Sequence, residues 1–137
     1  MNDSPLQQIF DQADSEIAAL ERSPAVADDR RLVDTLEQAT GIVRRLILAY
    51  LADAREQPLP EAQASLLDCF RLLVKGDPSW NTIRDNCREL EYYRNCLLMG
   101  REDALPAHPV RMTLRTLRHV YLFMKSRSQR ENRLETV

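Results

Sequence analysis

The sequence predicts an all-α fold, a single-domain bundle of about five helices. Glycine is rare, with three in the whole chain, and Leu, Ala, Arg, Glu and Gln are abundant, which favours helix over long windows. Apolar residues recur every three to four positions, and strand-type alternation never extends beyond a few residues. With 137 residues, 44% of them hydrophobic, the chain has the size of one domain with a modest core.

The first predicted helix covers residues 4–22. Ser4 is a favourable N-cap, Pro5 occupies the first helical position, and Gln7 completes a capping box. Ser23 and Pro24 end the helix. Its apolar face follows a 3.6-residue spacing and consists of Leu6, Ile9, Phe10, Ala13, Ile17 and Leu20.

The second predicted helix, residues 29–56, has the most regular pattern in the chain, and we expect Asp28 or Asp29 to cap it. Its apolar residues alternate steps of four and three, as in a heptad seam. They are Leu32, Leu36, Ala39, Val43, Leu46, Tyr50 and Ala54. A second apolar row beside this seam widens the stripe, which is more typical of a helix at the centre of a bundle than of a free coiled-coil strand.

The third and fourth predicted helices, residues 60–75 and 78–99, are separated by Gly76 and Asp77, which are C-terminal stop and N-cap signals. This stretch has two interpretations. In a helix-turn-helix, the side chains facing a DNA groove would be Ser79, Asn81, Thr82, Arg84 and Arg88. Acidic residues on the same helix cancel its charge, so an ordinary helical hairpin is favoured.

The fifth predicted helix, residues 109–126, follows a loop that contains Pro106. We expect the polar segment 127–137 to be a solvated extension of this helix or a frayed tail. Charge is uneven along the chain: residues 1–29 are strongly acidic, whereas no acid occurs between Ala104 and Arg130. The asymmetry indicates either an acidic segment packed on a basic one or a basic surface for a partner.

The fifth helix carries the candidate contact surface, a stripe of cations that includes one leucine. Its members are Arg111, Arg115, Arg118, Leu122 and Lys125, with Arg127 and Arg130 as extensions. Several cations on one face without nearby acids are what phosphate contacts require. The alternatives are a solvated face, or a face paired with the acidic first helix. Leu122, in the middle of the stripe, suits a protein interface better than a phosphate track.

No residue pattern in the chain requires chemistry, and we expect no catalytic, cofactor or metal site. The two histidines, His108 and His119, would lie about 16 Å apart on one helix, too far apart to chelate one metal ion. Three cysteines, Cys69, Cys87 and Cys96, do not form a disulfide framework and are interpreted as buried thiols.

The sequence also predicts a cytoplasmic protein without a membrane segment. Its N-terminus is polar and acidic, unlike a secretory signal. The most apolar run, residues 42–51, contains Arg44 and Arg45 and is much shorter than the roughly 20 residues that span a bilayer.

Two functions are compatible with these patterns. The first is a non-enzymatic interaction or regulatory module, expected to be a homodimer or to bind a protein partner, because several large apolar residues point away from the main stripes of their helices. These residues are Leu48, Leu72, Met112, Leu122 and Phe123. The alternative is a nucleic-acid-binding regulator that uses the basic face of the C-terminal helix.

Overall fold

The computed structural model describes residues 4–24, 29–54, 59–61 and 63–136, and within them the chain forms a bundle of five α-helices with no β-strand. The predicted all-α fold class is confirmed. Three short 3-10 segments, Asp29–Arg31, Pro78–Ile83 and Glu102–Ala104, connect the helices. The helices are α1 (Pro5–Arg22), α2 (Leu32–Ala54), α3 (Leu66–Gly76), α4 (Arg84–Leu98) and α5 (Pro109–Arg130).

Helix α2 is the centre of the bundle and contacts each of the other four helices. The predicted seam from Leu32 to Tyr50 is buried throughout, because a wide apolar arc can be covered only by neighbours on several sides. Helices α1 and α2 run antiparallel, since Glu16 pairs with Arg45 while Leu6 lies beside Asp53.

The beginnings of the third and fourth helices differ from the prediction. Helix α3 begins at Leu66 rather than near residue 60, because the Ser65 hydroxyl accepts a hydrogen bond from the Asp68 N–H and caps the helix there. Asp77 caps the next segment as predicted, accepting from the Ser79 N–H. The first turns after it, Pro78–Ile83, are 3-10, and α-helix begins only at Arg84.

The second and fifth predicted helices also differ at their ends. In the second, Asp29–Arg31 is 3-10 and the α-helix is described as far as Ala54; residues 55 and 56, like the proposed cap Asp28, lie outside the described residues. The Asp29 carboxylate instead accepts the Val110 N–H at 3.3 Å, which supports the N-terminus of α5. There the N-cap residue, His108, has a left-handed backbone and no side-chain cap.

The C-terminal segment extends the fifth helix, as one of the two predictions has it, but its end packs on the bundle and is neither solvated nor frayed. Helix α5 continues to Arg130, beyond the predicted end near 126. After it the chain turns back on the bundle, so that Leu134 joins the core and is only 5% exposed. The Glu135 N–H donates to the Gln7 side chain on α1. One apolar residue and several polar contacts are enough to hold this polar segment in place.

A cluster of aromatic and charged side chains fastens the end of α5 to the bundle. The Arg127 guanidinium lies 4.0 Å from the centre of the Trp80 ring and pairs with Asp77 and Glu131. Glu131 also accepts the Tyr50 hydroxyl at 2.6 Å. Burial and this hydrogen bond raise the pKa of Tyr50 to about 12. Arg127 therefore belongs to the packing of the fold and does not extend the basic stripe.

All three cysteines are buried and free, as the sequence predicts. Burial raises the pKa of the Cys87 thiol to about 12, so this thiol stays protonated at neutral pH and is a poor nucleophile.

Candidate functional site

The basic stripe of α5 is divided by its contacts with α1. Arg118 donates to Asp14 at 2.6 Å and to Glu21 at 2.8 Å, and its side chain is 23% exposed. Hydrogen bonding to Glu21 and then to Asp14 raises its pKa above the ordinary value. Arg118 is thus neutralised by the acidic first helix. Pairing with this helix was one of the alternatives that the sequence left open for the whole stripe.

The other members of the stripe remain at the surface. Arg111 and Arg115 are exposed, and neither pairs with a carboxylate of any described residue. Leu122 is 50% exposed. The Tyr121 ring lies between two cations: its centre is 5.9 Å from Lys125 Nζ and 5.3 Å from Arg118 Cζ. Arg118 therefore interrupts the stripe. Arg111 and Arg115 on one side of it, and Lys125 and Arg130 on the other, have no carboxylate partner among the described residues, so the free cations do not form the continuous row that a phosphate track needs.

A groove of about 760 Å³ lies between α1 and α2. Its lining is apolar apart from two charged residues at the rim, Arg45 and Asp53. Large and small residues alternate along it: Ile9 and Leu48 are only partly buried, and Ala52 is exposed. The apolar lining consists of Pro5, Leu6, Ile9, Leu48, Ala49 and Ala52.

Both charges at the rim of the α1–α2 groove are paired within the chain. Arg45 binds the two carboxylate oxygens of Glu16 at 2.7 and 3.0 Å. Asp53 accepts from Arg133 of the C-terminal segment at 2.9 Å. A charged ligand would have to compete with these pairs, whereas an apolar surface would not. The groove is consequently best suited to another apolar protein surface.

Gly41, Arg45, Leu48 and Ala52 share one face of α2 at steps of four, three and four. Leu48 and Ala52 line the α1–α2 groove, whereas Gly41 lines a separate pocket beside α4. A Cβ atom added at Gly41 would meet nothing within 4 Å, so no described helix packs closely on this position.

The apolar surplus that suggested an interface is smaller than the sequence indicated. Of the five residues, Leu48, Leu72, Met112 and Phe123 are partly buried against the core, and Phe123 packs edge-on against Trp80. Leu122 alone of the five is among the exposed large hydrophobic residues. Among the described residues, the most exposed large apolar side chains are those of Leu98 and Met99, at the end of α4. Helical spacing predicts Leu98 on the inner face of this helix, and that prediction is wrong.

A small charged pocket of about 230 Å³ lies where α2 and α4 approach the residues before α3. Arg94, on the α4 side of this pocket, has both a carboxylate partner and access to water: its Nε lies 3.5 Å from Glu37 and its side chain is 42% exposed. Across the described parts of the chain, no three His, Cys, Asp or Glu side chains are grouped to hold a metal ion.

The chain matches no protein-family model, no curated protein and no solved structure. None of the helices that the structure describes is long and apolar enough to span a membrane.

Proposed function

We propose that this protein is a non-enzymatic interaction module that self-associates through the α1–α2 groove. The observation that carries the proposal is the apolar groove of about 760 Å³, whose two rim charges are already paired within the chain. A surface of this kind loses little by being covered and gains by burying apolar area.

A second copy is the occupant that these features favour. Two-fold dimers use the same patch on both subunits, so the patch has to be complementary to itself. Ile9 and Leu48 are knobs, and the small Ala49 and Ala52 leave hollows beside them, which permits reciprocal packing of the kind seen between helices. Because the rim is neutral overall, two copies can meet there without bringing unpaired like charges together.

Sedimentation velocity and light scattering test this proposal. We expect a mass near twice the 15.9 kDa of one chain. Replacing the exposed Ala52 with Arg introduces a charge into the interface without disturbing the core, and should weaken dimerisation by about 100-fold. Leu122→Glu is the control, because Leu122 is also exposed but lies on α5.

A monomer at high concentration would contradict self-association. If the dimer persists in the Ala52→Arg variant and dissociates in the Leu122→Glu variant, the interface lies on the α5 stripe and not at the α1–α2 groove. Circular dichroism of both variants shows whether the helices are intact, so that loss of the dimer is not confused with unfolding.

The nucleic-acid-binding regulator is the second proposal, and it rests on exposed arginines of α5, Arg111 and Arg115 foremost, that have no carboxylate partner among the described residues. Duplex binding abolished by Arg111→Glu with Arg115→Glu would support it. Arg118 is a poor choice for this test, because its reversal would also break the contacts between α1 and α5.

A cytoplasmic location stays a proposal. It is supported by the three cysteines, which are all free and buried, since reducing compartments keep thiols unpaired.

A further inference from the structure

A second groove, between α3 and α4, differs in chemistry from the α1–α2 groove. It has a volume of about 350 Å³. Its floor is apolar: Leu67 and Val74 are partly buried, and Phe70 is buried. These three residues follow one another on a single face of α3 at steps of three and four, which is the spacing at which a helical partner presents its own apolar anchors.

Cationic side chains stand on both walls of this α3–α4 groove. They are Arg71 and Lys75 on α3 and Arg84 and Arg88 on α4. On each wall the two cations are four residues apart, which places them one above the other along the helix. The groove therefore has an apolar floor between two short cationic rows.

The cations of the α3–α4 groove are only partly compensated. Arg71 pairs with Asp68, and Arg84 lies 3.7 Å from Asp85, but these are exposed pairs between near neighbours on one helix, which hold little free energy. Lys75 and Arg88 have no carboxylate partner in the described part of the chain. The groove keeps a net positive charge, although the chain as a whole has a formal charge of −2.

We propose that the α3–α4 groove binds an acidic amphipathic helix of a partner protein. The apolar face of such a helix would cover the partly buried Leu67 and Val74, which flank the buried Phe70, and its acidic flanks would meet the two cationic rows. Charge complementarity of this kind determines which partner is accepted and how fast it associates. The proposal concerns a surface separate from the α1–α2 groove, so it does not depend on dimerisation.

Nucleic acid fits the α3–α4 groove less well than an acidic helix does. Its interfaces are polar and phosphate-rich, whereas this floor is aliphatic and aromatic. The ring of Phe70 is 4% exposed, so it offers no face on which a base could stack. Two uncompensated cations are also few for a phosphate backbone.

Fluorescence anisotropy with a synthetic probe tests the proposal. The probe is a labelled peptide of about 20 residues, long enough to form a helix, with Leu at i, i+3, i+4 and i+7 and Glu on both flanks. Two further peptides carry Lys in place of Glu, or the same composition in scrambled order. We expect the full-length protein to bind the acidic amphipathic peptide and neither control.

Charge reversal locates the binding site. Lys75→Glu with Arg88→Glu should weaken peptide binding by about 30-fold, whereas the matched control, Arg111→Glu with Arg115→Glu, should leave it within about twofold. In NMR titrations the amide shifts should fall within α3 and α4. Both double variants replace exposed side chains, and circular dichroism checks their fold.

Three results would overturn the proposal. One is equal binding of the acidic and basic peptides. Another is peptide binding that is lost with the α5 variant and kept with the α3–α4 variant. The third is that the acidic peptide does not bind, while Lys75→Glu with Arg88→Glu abolishes binding of duplex DNA or dissociates the dimer. Loss of the dimer with Ala52→Arg alone would bear on self-association and leave this site unaffected.

Discussion

The two grooves of this bundle have similar apolar floors, but they differ in whether the charged side chains at their rims are paired within the chain. At the α1–α2 groove, Arg45 and Asp53 are paired with Glu16 and Arg133 of the same chain. At the α3–α4 groove, Lys75 and Arg88 keep their charges without a carboxylate partner among the described residues. The apolar floors alone do not distinguish the two proposed occupants; the pairing of the charges at the rims does.

The C-terminal segment neutralises Asp53, one of the two charges at the α1–α2 rim, and removing the anchor of this segment should have the largest effect. Leu134→Ala deletes a side chain that is 5% exposed, and we expect the free energy of unfolding to fall by about 2–4 kcal/mol. Arg133 would then lose its position beside Asp53. Urea denaturation monitored by circular dichroism measures the loss.

Thr136→Ala is the control for this prediction, because Thr136 is exposed on the same segment. If Leu134→Ala is as stable as the native chain, the segment is not anchored by its leucine. The neutrality of the α1–α2 rim would then need another cause, and the contrast between the grooves would weaken.

Salt concentration should affect binding at the two grooves differently, and we expect this effect to be smaller than that of Leu134→Ala. Raising NaCl from about 50 to about 500 mM screens exposed charges, so binding of the acidic peptide to the α3–α4 groove should weaken about tenfold. Dimerisation through the α1–α2 groove should change by less than about twofold, because its charges are paired internally. Anisotropy and sedimentation velocity in the same buffers give the two constants. Equal salt dependence would remove the distinction drawn here between the two rims.

The smallest expected effect is a change in the free energy of unfolding when Gly41 is replaced. Because a Cβ atom at this position meets nothing within 4 Å, Gly41→Ala should stabilise α2 by about 1 kcal/mol through helix propensity alone. The reverse change at an exposed helical position outside both grooves, Ala19→Gly on α1, should cost about as much. Both are measured by urea denaturation at one protein concentration, since dimerisation contributes to apparent stability. Destabilisation by Gly41→Ala would mean that another surface packs closely on this glycine.

The helices themselves were largely predictable, because their signals are local. Ser4 caps α1 by accepting the Gln7 N–H at 3.1 Å, as predicted, although the Gln7 side chain binds Asp11 and the Glu135 N–H and does not complete the capping box. The seam of α2 was recognised because residues three and four apart share one face of any helix. The beginning of α3 was predicted wrongly, because Pro60 and Ser65 are both acceptable start signals and nothing local decides between them.

The candidate surfaces were much less predictable. The sequence identified the basic stripe of α5, but not that Arg118 is neutralised by α1 while Arg111 and Arg115 remain exposed. It also assigned Arg127 to that stripe, although the residue packs over Trp80. The cationic walls of the α3–α4 groove were seen only as part of a weak helix-turn-helix pattern, because their partner wall lies on another helix.

The sequence by itself determined where most helices form and which stripe of each is buried. These properties depend on hydrogen bonds and side-chain periodicity within a few turns. Tertiary structure alone decided which charges are paired and where the C-terminal segment lies. Arg118 and Glu21, or Arg133 and Asp53, are about 80 to 100 residues apart along the chain. Such residues meet only when the helices pack in a particular order and direction, which no short sequence pattern encodes.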